Sequence, residues 1–114
     1  MKIINVTKNT ILAEEAVEAN TIFGRLKGLL GKKELKKGQA LILKPCNSIH
    51  TLFMRFPIDV IFLDSRHKVV KAIPNLAPWR ISGIYLRGNS ALELPLGTIE
   101  ATHTEAGDYL TYSS

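Results

Sequence analysis

The stretch from Cys46 to Asp64 constrains this chain more than any other. It sets Cys46, Ser48, His50, Thr51, Arg55 and Asp59 among closely spaced large apolar side chains. Polar groups in so dry a setting must satisfy one another or face a cleft. A hydrophobic content of 46% over 114 residues fits one domain, residues 1–114, that buries its own core. One cysteine cannot make an intrachain disulfide, and Met1-Lys2-Ile3-Ile4-Asn5-Val6 lacks the long apolar core of a signal peptide. No apolar run approaches the roughly 20 residues of a bilayer span. The expectation is therefore a reduced, cytoplasmic chain with no membrane partner. The net charge of +5 favours anionic contacts, with the charges spread along the chain and no dense basic run.

The apolar pattern is mostly that of short strands. Residues 3–6 and 11–13 flank Lys8-Asn9-Thr10 and predict a hairpin, followed by an extended segment over 14–19. Asn20-Thr21 then offers an N-cap for a short helix near residues 21–30, with Ile22, Leu26, Leu29 and Leu30 on one face and Gly31 as the stop. Residues 40–43 are a buried strand. Residues 48–56 and 58–63 are apolar on both parities, as central strands covered on each side would be. Pro57 divides them by a bend, a bulge or an edge, with a cis bond as one option. Asp64-Ser65-Arg66-His67 is a tight turn into a returning strand over 69–73. Residues 74–89 form a long loop holding the lone Trp79, residues 91–94 a strand, and residues 98–102 and 109–112 a closing strand pair. The fold class is mainly β (β-rich α+β), a compact barrel-like or two-sheet arrangement of about eight short strands with one short helix near residues 21–30.

Residues 46–64, CNSIHTLFMRFPIDVIFLD, resemble the signature of the bacterial and archaeal family called domain of unknown function 192. Arg25-Leu26-Lys27-Gly28-Leu29-Leu30-Gly31-Lys32 is similar to that family's helix motif, with Leu30 where Met is usual and Lys32 where Arg is usual. Pro78-Trp79-Arg80 and Glu93-Leu94-Pro95-Leu96-Gly97-Thr98 follow in kind and order, so the resemblance covers nearly the whole chain. It implies a small β-rich domain and assigns no biochemical role. His67 stands where the family commonly has Gly, which predicts a positive φ in that turn.

Three chemistries compete for the polar residues. A thiol enzyme of hydrolase or transferase type would use Cys46 as nucleophile and His50 as base, with Asp59 completing a triad on paper. In an extended chain four residues at about 3.3 Å each hold Cys46 and His50 roughly 13 Å apart, so the pair needs a curl over residues 45–48. Otherwise Cys46 is a small buried hydrophobe. Metal binding is not expected, since Cys46, His50, His67 and His103 lack paired ligand spacing, and no cofactor is called for. In the second chemistry Arg25, Arg55 and Arg80 pair internally with Asp59 and Glu93 as a structural salt-bridge network. In the third, favoured here, a non-enzymatic binding module lines a polar pocket with Ser48, His50, Thr51, Arg55 and Asp59. Trp79 and Arg80 would roof that pocket, Trp79 acting as a cap or as the loop's buried anchor, and the ligand would be a small anion or a protein or peptide-like partner. Nucleic acid is not favoured, because the Lys cluster lacks interleaved aromatics.

Overall fold

A computed structural model of the chain describes residues 1–19, 35–51 and 55–114. The helix expected near residues 21–30 lies outside the described residues, as do Arg25 and the central part of the strand expected over 48–56.

The expected hairpin is present as β1 (Lys2–Asn5) and β2 (Thr10–Ala13), and its turn holds Asn9 at φ 57°. Then follow β3 (Glu15–Ala19), β4 (Gln39–Leu43), β5 (Ile58–Leu63), β6 (Val69–Leu76), β7 (Ser90–Leu94), a five-residue helix α1 (Thr98–Thr102) and β8 (Leu110–Ser113). The strands form two sheets rather than a closed barrel: a three-stranded sheet in the order β2-β1-β8, and a five-stranded sheet in the order β3-β4-β7-β5-β6. All pairings are antiparallel except β3 with β4.

The central strands of the larger sheet are buried on both faces, so every residue of β5 and β7 is buried. Ile61 and Leu63 of β5, Leu92 and Leu94 of β7 and Ile42 of β4 point to the side where Ile3, Leu12 and Leu110 of the smaller sheet pack. The alternate residues Val60, Phe62, Ala91 and Leu43 point the other way, into a second apolar cluster with Cys46 and Ile49. Strands apolar on both parities are the signature of this two-sided burial.

Four expectations are corrected. Residues 98–102 are helical, not a strand. Their composition is β-branched, but the Asp59 carboxylate accepts a 2.8 Å hydrogen bond from the Ile99 amide and so caps the helix start, where Gly97 supplies no side-chain cap. A long-range hydrogen bond overrides local propensity here. The described parts of residues 48–56 form no named strand, and His50 makes only an isolated antiparallel bridge to Ile81. The strand after the Asp64 turn does not stop at Ile73 but runs through Pro74 to Leu76. β6 is a sheet edge, where a missing N–H costs no ladder bond. Among the described residues the cis X–Pro bond is Lys44–Pro45, not one at Pro57.

The turn itself is as expected. The Asp64 Oδ1 accepts from the amides of Arg66 and Lys68, and His67 takes φ 62°.

Candidate functional site

Asp59 is fully buried, and its position in the β5 alternation puts its carboxylate on the side of Ile61 and Leu63. Both oxygens are taken by backbone: Oδ1 by the Asn75 amide at 3.0 Å and Oδ2 by the Ile99 amide at 2.8 Å. The β5–β6 register shifts between Ile58 and Val60, and this bulge, with Asn75 at φ 55°, frees the Asn75 N–H from the ladder to meet the carboxylate. Cys46 lies in the cluster on the opposite face of the same sheet. Its buried thiol donates to the Ser48 carbonyl at 3.1 Å, while His50 is exposed. The expected triad of Cys46, His50 and Asp59 is therefore not assembled, because the β5 pleat turns Asp59 away from the thiol. Among the described residues no arginine pairs with Asp59 as the expected network would have it, and each of its oxygens holds a backbone amide; Arg25 lies outside the described residues. Glu93 sits at the opposite parity to Leu92 and Leu94, on the other face of the sheet from Asp59. A single pocket lined by all the named residues does not form.

What the structure does bring together is the 46–51 segment and the long loop that follows β6. They run antiparallel, joined by the Thr51 amide to the Arg80 carbonyl at 2.8 Å, the Ser82 amide to the Ile49 carbonyl at 2.8 Å, and the Tyr85 amide to the Asn47 carbonyl at 2.9 Å. Thr51 is the hub. Its hydroxyl donates to the Ala77 carbonyl at 2.6 Å and accepts from the Arg80 amide at 2.9 Å, and its carbonyl accepts from the Trp79 amide at 2.9 Å. These bonds grip Trp79 on both sides and hold it at φ 62°, a conformation that costs an L side chain about 1 kcal/mol. Ser82 fastens the next turn: its hydroxyl accepts from the Ile49 amide at 2.9 Å and donates to the Gly83 carbonyl at 2.8 Å. Tyr85 turns inward, its ring 4.7 Å from that of Phe62. Gly88 is needed for the close approach, since a Cβ there would sit 2.9 Å from the Tyr85 carbonyl oxygen and 3.2 Å from the Asn47 Cβ.

Replacing Thr51 by Val keeps the shape and removes both hydroxyl bonds, which is expected to cost about 2 kcal/mol. Hydrogen exchange at the Arg80 amide is the discriminating measurement. Unchanged protection there would show that Thr51 does not hold the loop.

The side chains between these fastenings point out. Trp79 is 58% exposed, Ile81 69%, Ile84 70% and Leu86 90%. Tyr85, not Trp79, is thus the loop's inward-facing aromatic. Ile81 lies directly opposite His50, so that pair projects on one side, and Arg55, Arg80 and Arg87 are exposed as well. Sequence reasoning missed Ile81, Ile84, Leu86 and Arg87. The available signal was charge segregation: from Leu35 to Leu92 the chain has nine Lys and Arg but only two carboxylates, Asp59 and Asp64, both committed to backbone amides.

Two further features lie elsewhere. A cavity of about 360 Å³ opens between β2 and the turn into α1, lined by Ile11, Leu12, Lys37, Leu96, Gly97 and Ala101 among others. A buried polar cluster ties the β1–β2 turn to the loop after α1. There the Asn5 amide donates to Thr104 at 3.1 Å and to Asp108 at 2.9 Å, and the Lys8 ammonium reaches both Asp108 oxygens at 3.0 Å. Burial pushes the Asp108 carboxyl up, but the hydrogen bonds from Asn5, Lys8 and the Glu105 amide, with the Lys8 charge, outweigh it and hold it below the usual aspartate value. Among the described residues no cluster of His, Cys, Asp and Glu could hold a metal ion.

Residues 3–112 match the family model for domain of unknown function 192, described as Uncharacterized ACR. The chain is 35% identical to a UPF0127 protein of Pyrococcus furiosus over 96% of its own length and 97% of that protein's. It is 32% identical to a UPF0127 protein of Thermococcus sibiricus, over 96% of this chain and 73% of that one. A crystal structure of a protein of unknown function from Novosphingobium aromaticivorans superimposes with a TM-score of 0.84 at 18% identity, covering 98% of this chain and 84% of that one. A second structure, from Sinorhizobium meliloti, gives 0.80 at 18% identity over 96% and 89%. With its two-sheet architecture and its 46–64 signature, the chain belongs to the domain of unknown function 192 family, the family of the UPF0127 proteins.

Proposed function

We propose that the chain is a non-enzymatic binding domain for an anionic partner, which it engages through the outward side of the loop between β6 and β7 together with His50 and Arg55. The observation that carries this reading is the division of labour within the loop. Its backbone is fastened by Thr51, Ser82, Asn47 and Tyr85, while Ile81, Ile84 and Leu86 are 69 to 90% exposed. Fixing a loop at this many points with its large apolar side chains left in water sacrifices solubility, and binding energy is the usual return on preorganised apolar surface. Trp79 at positive φ fits the same pattern of local strain at a recognition element. The sign of the partner follows from charge. Arg80 and Arg87 lie within the loop, and no carboxylate occurs between Ser65 and Leu92.

The test is a thermal-shift series with poly-glutamate, inorganic polyphosphate and dextran sulfate. Each polyanion is expected to raise the melting temperature of the native chain, and an Arg80→Glu/Arg87→Glu variant or Arg55→Ala should lose most of the rise. A flat response of the native protein across all three removes the reading.

A further inference from the structure

We infer that the anionic partner is the surface of an anionic lipid bilayer, against which the domain sits as a peripheral protein with the β6–β7 loop inserted at the headgroup level. The inference rests on the binding reading above and specifies its partner. Three observations favour a bilayer over an acidic protein segment. First, Leu86 at 90%, Ile84 at 70% and Ile81 at 69% exposure stand largely in water. Peptides are captured by sheet edges, grooves and pockets that enclose them, whereas a bilayer interface receives projecting side chains with no complementary cavity. Second, the projecting set has interfacial chemistry: Trp79, whose amphipathic ring suits the headgroup region, accompanies three aliphatic residues. Third, Arg80 and Arg87 alternate with these residues along the loop, and the chain carries no carboxylate between Ser65 and Leu92 to oppose a negatively charged leaflet.

Among the described residues no helix is long and apolar enough to cross a membrane. That constraint concerns crossing, and a fastened loop of this length reaches only the headgroup and upper acyl region. The fastening also lowers the ordering cost, because the loop need not fold on contact.

Trp79 is the sole tryptophan and provides its own probe. The full chain is mixed with vesicles of phosphatidylcholine alone and of equal parts phosphatidylcholine and phosphatidylglycerol, and its emission and co-sedimentation are followed. With the anionic vesicles the emission should shift to the blue, and lipids brominated high on the acyl chain should quench it. Leu86→Ser/Ile84→Ser should abolish co-sedimentation, and Arg87→Gln should weaken it about fivefold. All three positions are exposed, so these variants are not expected to perturb the core. Circular dichroism of each confirms the fold before its binding is scored. Equal binding to neutral vesicles, or a shift that survives Leu86→Ser/Ile84→Ser, would overturn the inference. Polyanion-induced stabilisation without any vesicle binding would remove the bilayer and leave the binding reading standing. Silence in both experiments removes both.

Discussion

Asp59→Ala is expected to destabilise the fold by about 4 kcal/mol, through two lost charge-assisted hydrogen bonds and two backbone N–H groups left without an acceptor in a buried site. The carboxylate joins three elements. It sits in β5, receives the Asn75 amide from the bulged β6 edge, and receives the Ile99 amide at the start of α1. No side chain at Gly97 caps the helix, so its first turn depends on an acceptor delivered from another strand. Removing it is expected to fray α1 and to loosen Ile99, which packs into the core between the sheets. Asp59→Asn keeps the shape and one acceptor oxygen, and should lose about half as much. Urea unfolding of the two variants measures both numbers. A loss below about 1 kcal/mol for Asp59→Ala would show that water or a neighbouring group replaces the carboxylate, and the account of α1 would then fail.

Asp108→Ala should cost about 3 kcal/mol at neutral pH, because the side chain is 5% exposed and holds the Asn5 side-chain amide through a buried bond and the Glu105 backbone amide through a half-buried one. This contribution carries a pH signature. The folded-state value lies below the ordinary 3.8 of an unfolded aspartate, so the folded chain binds this proton less readily than the unfolded one. The stability it provides is fully present above that ordinary value and is lost as pH falls through the lowered folded value. Stability curves of the native chain and Asp108→Ala should therefore lie apart at neutral pH and converge as acidification carries the pH below 3.8 and through the lowered folded value. Parallel curves would mean that Asp108 is not held ionised by Asn5 and Lys8.

The placement of Asp59 also decides a functional question. Had Asp59 pointed to the side of Cys46, a thiol-based site would have been the natural reading. One step of strand parity separates the two outcomes. Sequence pattern could not supply that step, because a strand buried on both faces is apolar at even and odd positions alike, and the alternation that marks faces is erased. A different cause misplaced Thr98–Thr102: its β-branched residues favour a strand locally, and its helix depends on an acceptor 40 positions away in the chain.

Features that depend on short-range chemistry were readable from the residues alone. The β1–β2 hairpin follows from Asn and Lys at the break between apolar pairs, and the Asp64 turn from an aspartate that caps the amides just after it. The positive φ of His67 came from the family resemblance, in which Gly is common at that place. Family membership was legible too, because the 46–64 signature is a continuous stretch of chain. Contacts between distant segments settle which face Asp59 serves, that α1 is helical, and that Trp79, Ile81, Ile84 and Leu86 are exposed while Tyr85 and Ser82 turn in. Those outcomes depend on hydrogen bonds and burial between residues far apart in sequence, and local pattern carries no record of them.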